Sequence, residues 1–517
     1  MSYVFIFKNA VHSLFLILFT VLLTSCSVEQ VVDKGSIRFG ISARPLNLDP
    51  RFATDALSTR LNRLFYQRLV EVDNNSFPVP GIADWSIINP KQYRFILNEN
   101  AGTYPDGEII KANDVVQTYR AVLDESTLSP HRAALELIED VRLINDKTVD
   151  FFLNRQDPLF PAYLELNILP AKQINNGHPF ANRPFGSGEF IFLETDTAGV
   201  MKIQRKRDGH IFEIVEVKNP LVRVLKLLRG EIDLLQNDLT PELLGFLNSH
   251  ESIGILNNPG SSFSYLGFNI QDPIVSDLRV RRAIAHAIDR KKIIEMVMQG
   301  SAREAESLFP PEHWAGNSQL TPHRFNPEKS RELLREAGYG PNNPLRLVYK
   351  TSSDPFRIRL ATIIQAQLSQ IGIEVELKSY DWGTFFGDIK AGNFQLYSLS
   401  WVGVRTPDVF RYIFASDSIP PTGANRGRYK SAVVDELLRE AEQATTIESQ
   451  TEIYRQVALQ IHKDLPYVPL WFEDQYAAYG HRITGYRVST DGNYDGLNHI
   501  EIVNSKGNLH AQPISAH

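Results

Sequence analysis

Residues 277–290 read Asp277-Leu278-Arg279-Val280-Arg281-Arg282-Ala283-Ile284-Ala285-His286-Ala287-Ile288-Asp289-Arg290. Val280, Ile284, Ala287, Ile288 and, further on, Ile294 fall on or near one face, and the pattern predicts a helix over Asp277 to Met298. Upstream, Gly254-Ile255-Leu256 and Ser264 to Ile270 read as two strands. Downstream, Asn326-Pro327-Glu328 opens a helix, with Asn as N-cap, Pro in the first turn and Glu on the positive end of the dipole. Gly338 closes that helix. Ser353 to Gln370 reads as a further helix, running into the alternating strand Ile373 to Leu377. Helices and strands interleave, which means an α/β or α+β fold with mixed sheets.

The N-terminal half follows the same alternation. Ser36 to Ile41, Tyr93 to Leu97, Val149 to Leu153 and Gly188 to Phe192 read as strands, and Leu57 to Val70 and Asn113 to Leu123 as helices. The chain has 517 residues, enough for about three to five domains or lobes. Hydrophobic residues make up 43% and charged residues 22%, as in an ordinary globular protein, which excludes a disordered chain and a polytopic membrane protein. Lys+Arg is 54 against Asp+Glu 60, without the basic excess of a nucleic-acid binder.

The single cysteine, Cys26, excludes an intramolecular disulfide and a multi-cysteine zinc site. Residues 1–25 read as a secretory signal, with Lys8 and His12 ahead of an apolar run from Leu14 to Leu23. The run ends in Leu23-Thr24-Ser25-Cys26, which resembles the lipobox of bacterial lipoproteins and makes Cys26 the lipid attachment point. No zinc-protease, nucleophile-elbow or P-loop motif is present, and Gly186-Ser187-Gly188 is not followed by a helical pattern. Glu374 and Glu376 share one strand face and read as solvated. No catalytic residue, metal ligand or cofactor is expected.

Eight segments in order resemble family 5 extracellular solute-binding proteins, the oligopeptide- and dipeptide-binding receptors of bacterial ABC importers. They are Leu48-Asp49-Pro50, Pro80 to Trp85, Tyr93 to Val115 with Tyr104-Pro105-Asp106-Gly107, Pro184 to Phe190, Gly230-Glu231-Ile232-Asp233, Asn269 to Arg290, Leu333 to Tyr339, and Asp464 to Leu470. The resemblance implies an α/β, three-lobed periplasmic-binding-protein-like clamshell (class II type, cluster C) with mixed sheets. Lobe I would comprise residues 26–66, 179–270 and 475–517, lobe II residues 67–178, and lobe III residues 271–474. Interlobe crossings would fall near Asn269–Pro273 and Phe472–Gln475. A peptide or peptide-like ligand would be enclosed between lobes I and III and delivered to ABC permease and ATPase subunits. The receptor would be a monomer, lipid-anchored on the periplasmic side of a bacterial membrane, without nucleic acid. A receptor for a metal chelate, opine or glycan is the alternative within the fold; a lipoprotein hydrolase and a structural or signalling lipoprotein are the alternatives outside it.

The resemblance also implies the ligand contacts. The bonding strand matches Leu396 to Trp401, giving Ser398, Ser400 and Trp401, and continues through Val402 and Gly403; an upstream pocket Trp matches Trp382. Thr54, Asp55 and Ala56 match the lobe I side. Peptide receptors of the family place an Asp three residues after the pocket Trp, to pair with the ligand α-amine; Val404 stands there. Arg405 follows and would receive a carboxylate or phosphate, or else pair with Asp408 on the surface. Asp408 and Glu473 are the alternatives for pairing an amine.

Overall fold

The computed structural model describes residues 35–503 apart from 74, 76 and 100. Cys26 and the signal segment lie outside the described residues. The main sheet has eleven strands among the described residues. These are β1 Ile37–Ile41, β2 Phe190–Thr195, β3 Met201–Arg205, β4 Ile211–Glu216, β5 Leu234–Gln236 and β6 Ile253–Phe268, then β7 Ala302–Glu304, β8 Leu345–Ser352, β9 Ile373–Tyr380, β10 Leu396–Trp401 and β11 Tyr467–Gly480. Their order is β9-β8-β10-β6-β11-β5-β1-β4-β3-β2, with β7 pairing β11. The fold is α/β with a mixed sheet.

β6 and β11 join the two halves of this sheet. They pair antiparallel from Ile253 opposite Gly480 to Gly267 opposite Tyr467. The first half of β6 pairs β11 where β11 also meets β5; the second half carries β10 on its other edge. The two strands expected over Gly254–Leu256 and Ser264–Ile270 are therefore one. Pro259-Gly260, between them, makes a register shift between Asn258 and Ser262. A Cβ on Gly260 would lie 2.0 Å from the Glu473 carbonyl oxygen, so only glycine allows this close approach.

Packing divides along the chain. Phe39, Leu61, Phe65, Ile203, Phe212, Leu234 and Ala477 share one core, built from three separate stretches of sequence. A second core lies between a four-stranded antiparallel sheet, which includes Gln92–Leu97 and Thr148–Leu153, and a helix. Two further cores draw chiefly on residues 263–472.

Two expected helices are shorter than their periodicity. α1, Ala56–Phe65, stops before Val70 because Tyr66 turns extended. There Gly188 N donates to the Phe65 carbonyl at 2.7 Å, and a Cβ on Gly186 would lie 2.2 Å from that same oxygen. The Gly-Ser-Gly turn is thus a backbone seat for a helix end. The helix expected over Asp277–Met298 divides into α3, Leu278–Ala287, and α4, Arg290–Met296; α2 is the helix Ala112–Leu123. Asp289 caps α4 by accepting from Lys292 N at 3.0 Å. The break lets buried Arg290 donate to the Ala305 and Pro469 carbonyls and to Glu306. Arg281 donates to the Leu465 and Val275 carbonyls at 2.9 and 2.8 Å, and burial pulls its guanidinium down to about 10. Two basic residues of the 277–290 run therefore fix the chain around the start of β11.

Candidate ligand cleft

A cavity of about 300 Å³ opens where β6, β8, β10 and β11 meet α5, Pro355–Ser369, and α6, Trp382–Ala391. Alternation along β10 puts Ser398 and Ser400 on one face, and both line the cavity. Tyr349 OH donates to Ser398 Oγ at 2.9 Å. Asp354 caps α5 by accepting from Arg357 N at 2.9 Å, which sets Arg357 in the first turn at the cavity wall. Its Nη1 and Nη2 donate to Glu473 Oε1 and Oε2 at 2.8 and 3.3 Å. Ser264 Oγ donates to Glu473 Oε1 at 2.7 Å and lies 2.6 Å from Ser400 Oγ. Burial works to raise the Glu473 carboxyl, but the Arg357 charge and these hydrogen bonds hold it below the usual carboxylate range. The Glu473 charge is already neutralised within the chain.

Trp382 of the lining belongs to an aromatic stack that extends away from the cavity. Trp382, 59% exposed, lies parallel to Phe386 with ring centroids 5.3 Å apart. The Arg426 guanidinium carbon lies 5.2 Å from the Phe386 ring centroid and 4.5 Å from that of Trp401. Tyr412 meets Trp401 edge-on. Val404 is half-buried against the core that contains Phe410 and Tyr454, while Val402 and Gly403 are exposed.

Arg405 and Asp408 do not pair with each other. The Arg405 guanidinium, 15% exposed, donates to Glu165 at 3.1 Å and to Asp491, which stands close to the C-terminal end of the described chain. Arg405 holds the Asp491 carboxyl well below its ordinary range against the opposing effect of burial. His313 fixes the Arg405 backbone, with Nε2 2.8 Å from its carbonyl oxygen. Burial lowers His313 to about 4, so the ring is neutral, donating at Nε2 and accepting from Ala315 N at Nδ1. Asp408 precedes α7, Val409–Phe414, and keeps solvent access with no cation at ion-pair distance among the described residues. The crowded wall, and secondarily the Asp157 charge, push its carboxyl up to about 6.

The structure thus brings Trp382, Ser398 and Ser400 to the cavity, with Glu473 bonded to its wall. Asp55 caps α1, accepting from Ser58 N at 2.9 Å, and Thr54 and Ala56 are exposed beside it; none of the three lines the cavity. Sequence reading missed Ser264, Tyr349, Thr351, Arg357 and Trp471 of the lining, and Arg426 of the stack. The Asp354-Pro355 helix start was a usable signal for Arg357. Arg426 had none, because its neighbours lie far away in sequence.

The two halves of the sheet share two crossing strands, and a cleft lined by both polar and apolar side chains lies beside the crossing, the layout of a clamshell fold. Residues 78–420 match the family model of bacterial extracellular solute-binding proteins, family 5 (middle), and the chain belongs to this family. Heme-binding protein A of Haemophilus influenzae is 27% identical over 505 residues, covering 89% of this chain and 90% of the relative. The dipeptide-binding protein of Escherichia coli is 23% identical over 518 residues, covering 91% and 96%. Among solved structures, the ABC transporter substrate binding protein CtaP of Listeria monocytogenes superposes with a TM-score of 0.82 at 21% identity, covering 90% of this chain and 99% of that one. That last likeness concerns the clamshell fold.

Proposed function

We propose that the chain is a lipid-anchored extracytoplasmic receptor that captures a short peptide-like solute and delivers it to an ABC importer. The carrying observation is the edge of β10. β8 pairs β10 only at Leu396 and Tyr397, and β6 occupies the other edge. Ser398 to Ser400 therefore keep one backbone edge toward the cavity, where an extended ligand can add as a strand. The volume of about 300 Å³ lies at the lower end of small-molecule sites, roughly 300–1,000 Å³, and suits a ligand of few residues. Asp408 takes the ligand amine in place of the Asp that Val404 displaces, since Glu473 is held by Arg357. A non-peptide solute such as a metal chelate is the second reading, favoured by the relative named for heme.

The grouping of the cores supports three lobes, with residues 263–268 packing with lobe III and not with lobe I, and the register shift at residues 259–261 supports a hinge inside β6. Cys26 carries the lipid. Calorimetry on short peptides with free and N-acetylated amines tests the reading: the free series binds more tightly, and solution scattering shows compaction on binding. A protein that binds neither series, while hemin binds, returns the second reading.

A further inference from the structure

Arg426 is held in place by its neighbours. The Asn425 side chain donates to the Ala415 and Tyr429 carbonyls at 3.0 and 2.7 Å, and Ile270 N donates to the Gly427 carbonyl at 2.8 Å. Its guanidinium, between the Trp401 and Phe386 rings, donates to Tyr265 OH at 3.2 Å, and no carboxylate lies at ion-pair distance among the described residues. The other arginines at the cleft are engaged: Arg357 with Glu473, Arg405 with Glu165 and Asp491. Flanking rings desolvate the faces of a guanidinium but leave its N–H edge available, and that edge is the part a carboxylate takes up in paired hydrogen bonds. Arg426, Trp401 and Tyr265 also border a space of about 20 Å³, about the room a single water or ligand oxygen needs. Tyr265 forms part of the main cavity wall as well.

We infer that Arg426 is the recognition residue for an acidic group of the solute, a carboxylate presented against the Trp401 and Phe386 rings. The inference rests on the cleft being the solute site, and its test is arranged to separate it from the peptide reading. Binding of four probes to the mature protein is measured by calorimetry: alanyl-phenylalanine, its C-terminal amide, hemin, and hemin dimethyl ester. In at least one pair the free acid binds tenfold or more tighter than the blocked form. Arg426→Gln brings that ratio within about twofold, and Arg426→Lys, which keeps the charge but loses the fork, retains several-fold. Circular dichroism and melting confirm that each variant folds; if the Gln variant does not, an unaltered ratio in the Lys variant overturns the inference. It is equally overturned if no pair shows an acid preference, if Arg426→Gln keeps the preference, or if none of the probes binds. Peptide binding without acid preference removes Arg426 and leaves the peptide reading. Acid-dependent binding of hemin alone removes the peptide reading and leaves Arg426.

Discussion

Arg405 and Arg426 both lie beside the strand that ends at Trp401, Arg405 in the loop that follows it and Arg426 4.5 Å from the Trp401 ring centroid. Arg405 reaches two carboxylates, Glu165 and Asp491, from distant parts of the chain, and its partner Asp491 is only 17% exposed. Arg426 has two aromatic rings and one hydroxyl for company. A charge bonded to remote segments ties those segments together. A charge held rigidly without a counter-ion is prepared for a partner from outside. The same contrast separates the carboxylates, with Glu473 paired to Arg357 and Asp408 without a cation at ion-pair distance among the described residues.

The largest effect is expected at Arg405. Arg405→Met leaves Asp491 without its ion-pair partner, while Glu165 keeps Arg68 at 3.9 Å; breaking one side of a buried pair costs about 3–5 kcal/mol. Opening the cleft rehydrates Asp491, so the penalty falls on the closed form. Ligand affinity should drop about a hundredfold or more, and scattering of the unliganded variant should show a larger radius of gyration. A variant with unchanged scattering and affinity would falsify the tie.

Asp408→Asn comes next and tests the unpaired side. It should weaken free-amine peptides by about ten- to a hundredfold, less than a fully buried pair because the site is wet. N-acetylated peptides should be indifferent. The pH dependence has a fixed sign. The Asp408 carboxyl, at about 6, is ionised above that pH, while a ligand α-amine stays protonated up to about pH 8. Wild-type affinity for free-amine peptides should therefore fall as pH drops below 6. Asn at this position should flatten the profile; a retained slope would assign the amine to another group. Val404→Asp is the converse and smaller change: restoring a carboxylate there should improve free-amine binding several-fold, and no gain would mean the amine lies elsewhere.

The sequence carried the local part of this architecture. Asn326 and Pro327 do start a helix, the Asn side chain accepting from Lys329 N at 2.9 Å, and the Leu396–Trp401 strand is present as expected. Joins between distant residues were not legible. Pro259-Gly260 lies between two expected strands until Glu473 is placed against it. Asp289 lies inside an unbroken helical periodicity, and only the carbonyls of Ala305 and Pro469 give Arg290 a reason to turn. Glu473 offers itself to a ligand amine until Arg357 arrives from α5. Pair identities between residues distant in sequence depend on tertiary placement, which neither periodicity nor capping encodes.

The smallest effect is expected at a second tie between sheet halves. Arg359 of α5 bonds Glu242, which belongs to the helix Pro241–Asn248 leading toward β6. Here the side chains are 40% and 52% exposed, against 15% and 17% for Arg405 and Asp491. Exposed pairs contribute about 0–1 kcal/mol and are screened by salt. Arg359→Met should therefore change ligand affinity by less than about fivefold, and the difference from wild type should disappear at about 1 M salt, where the Debye length is about 3 Å. The Arg405→Met defect should persist at that ionic strength, because Arg405 and Asp491 are shielded from solvent. Equal effects of the two substitutions, or equal sensitivity to salt, would show that burial does not distinguish the two ties and that Arg405 is a surface pair like Arg359.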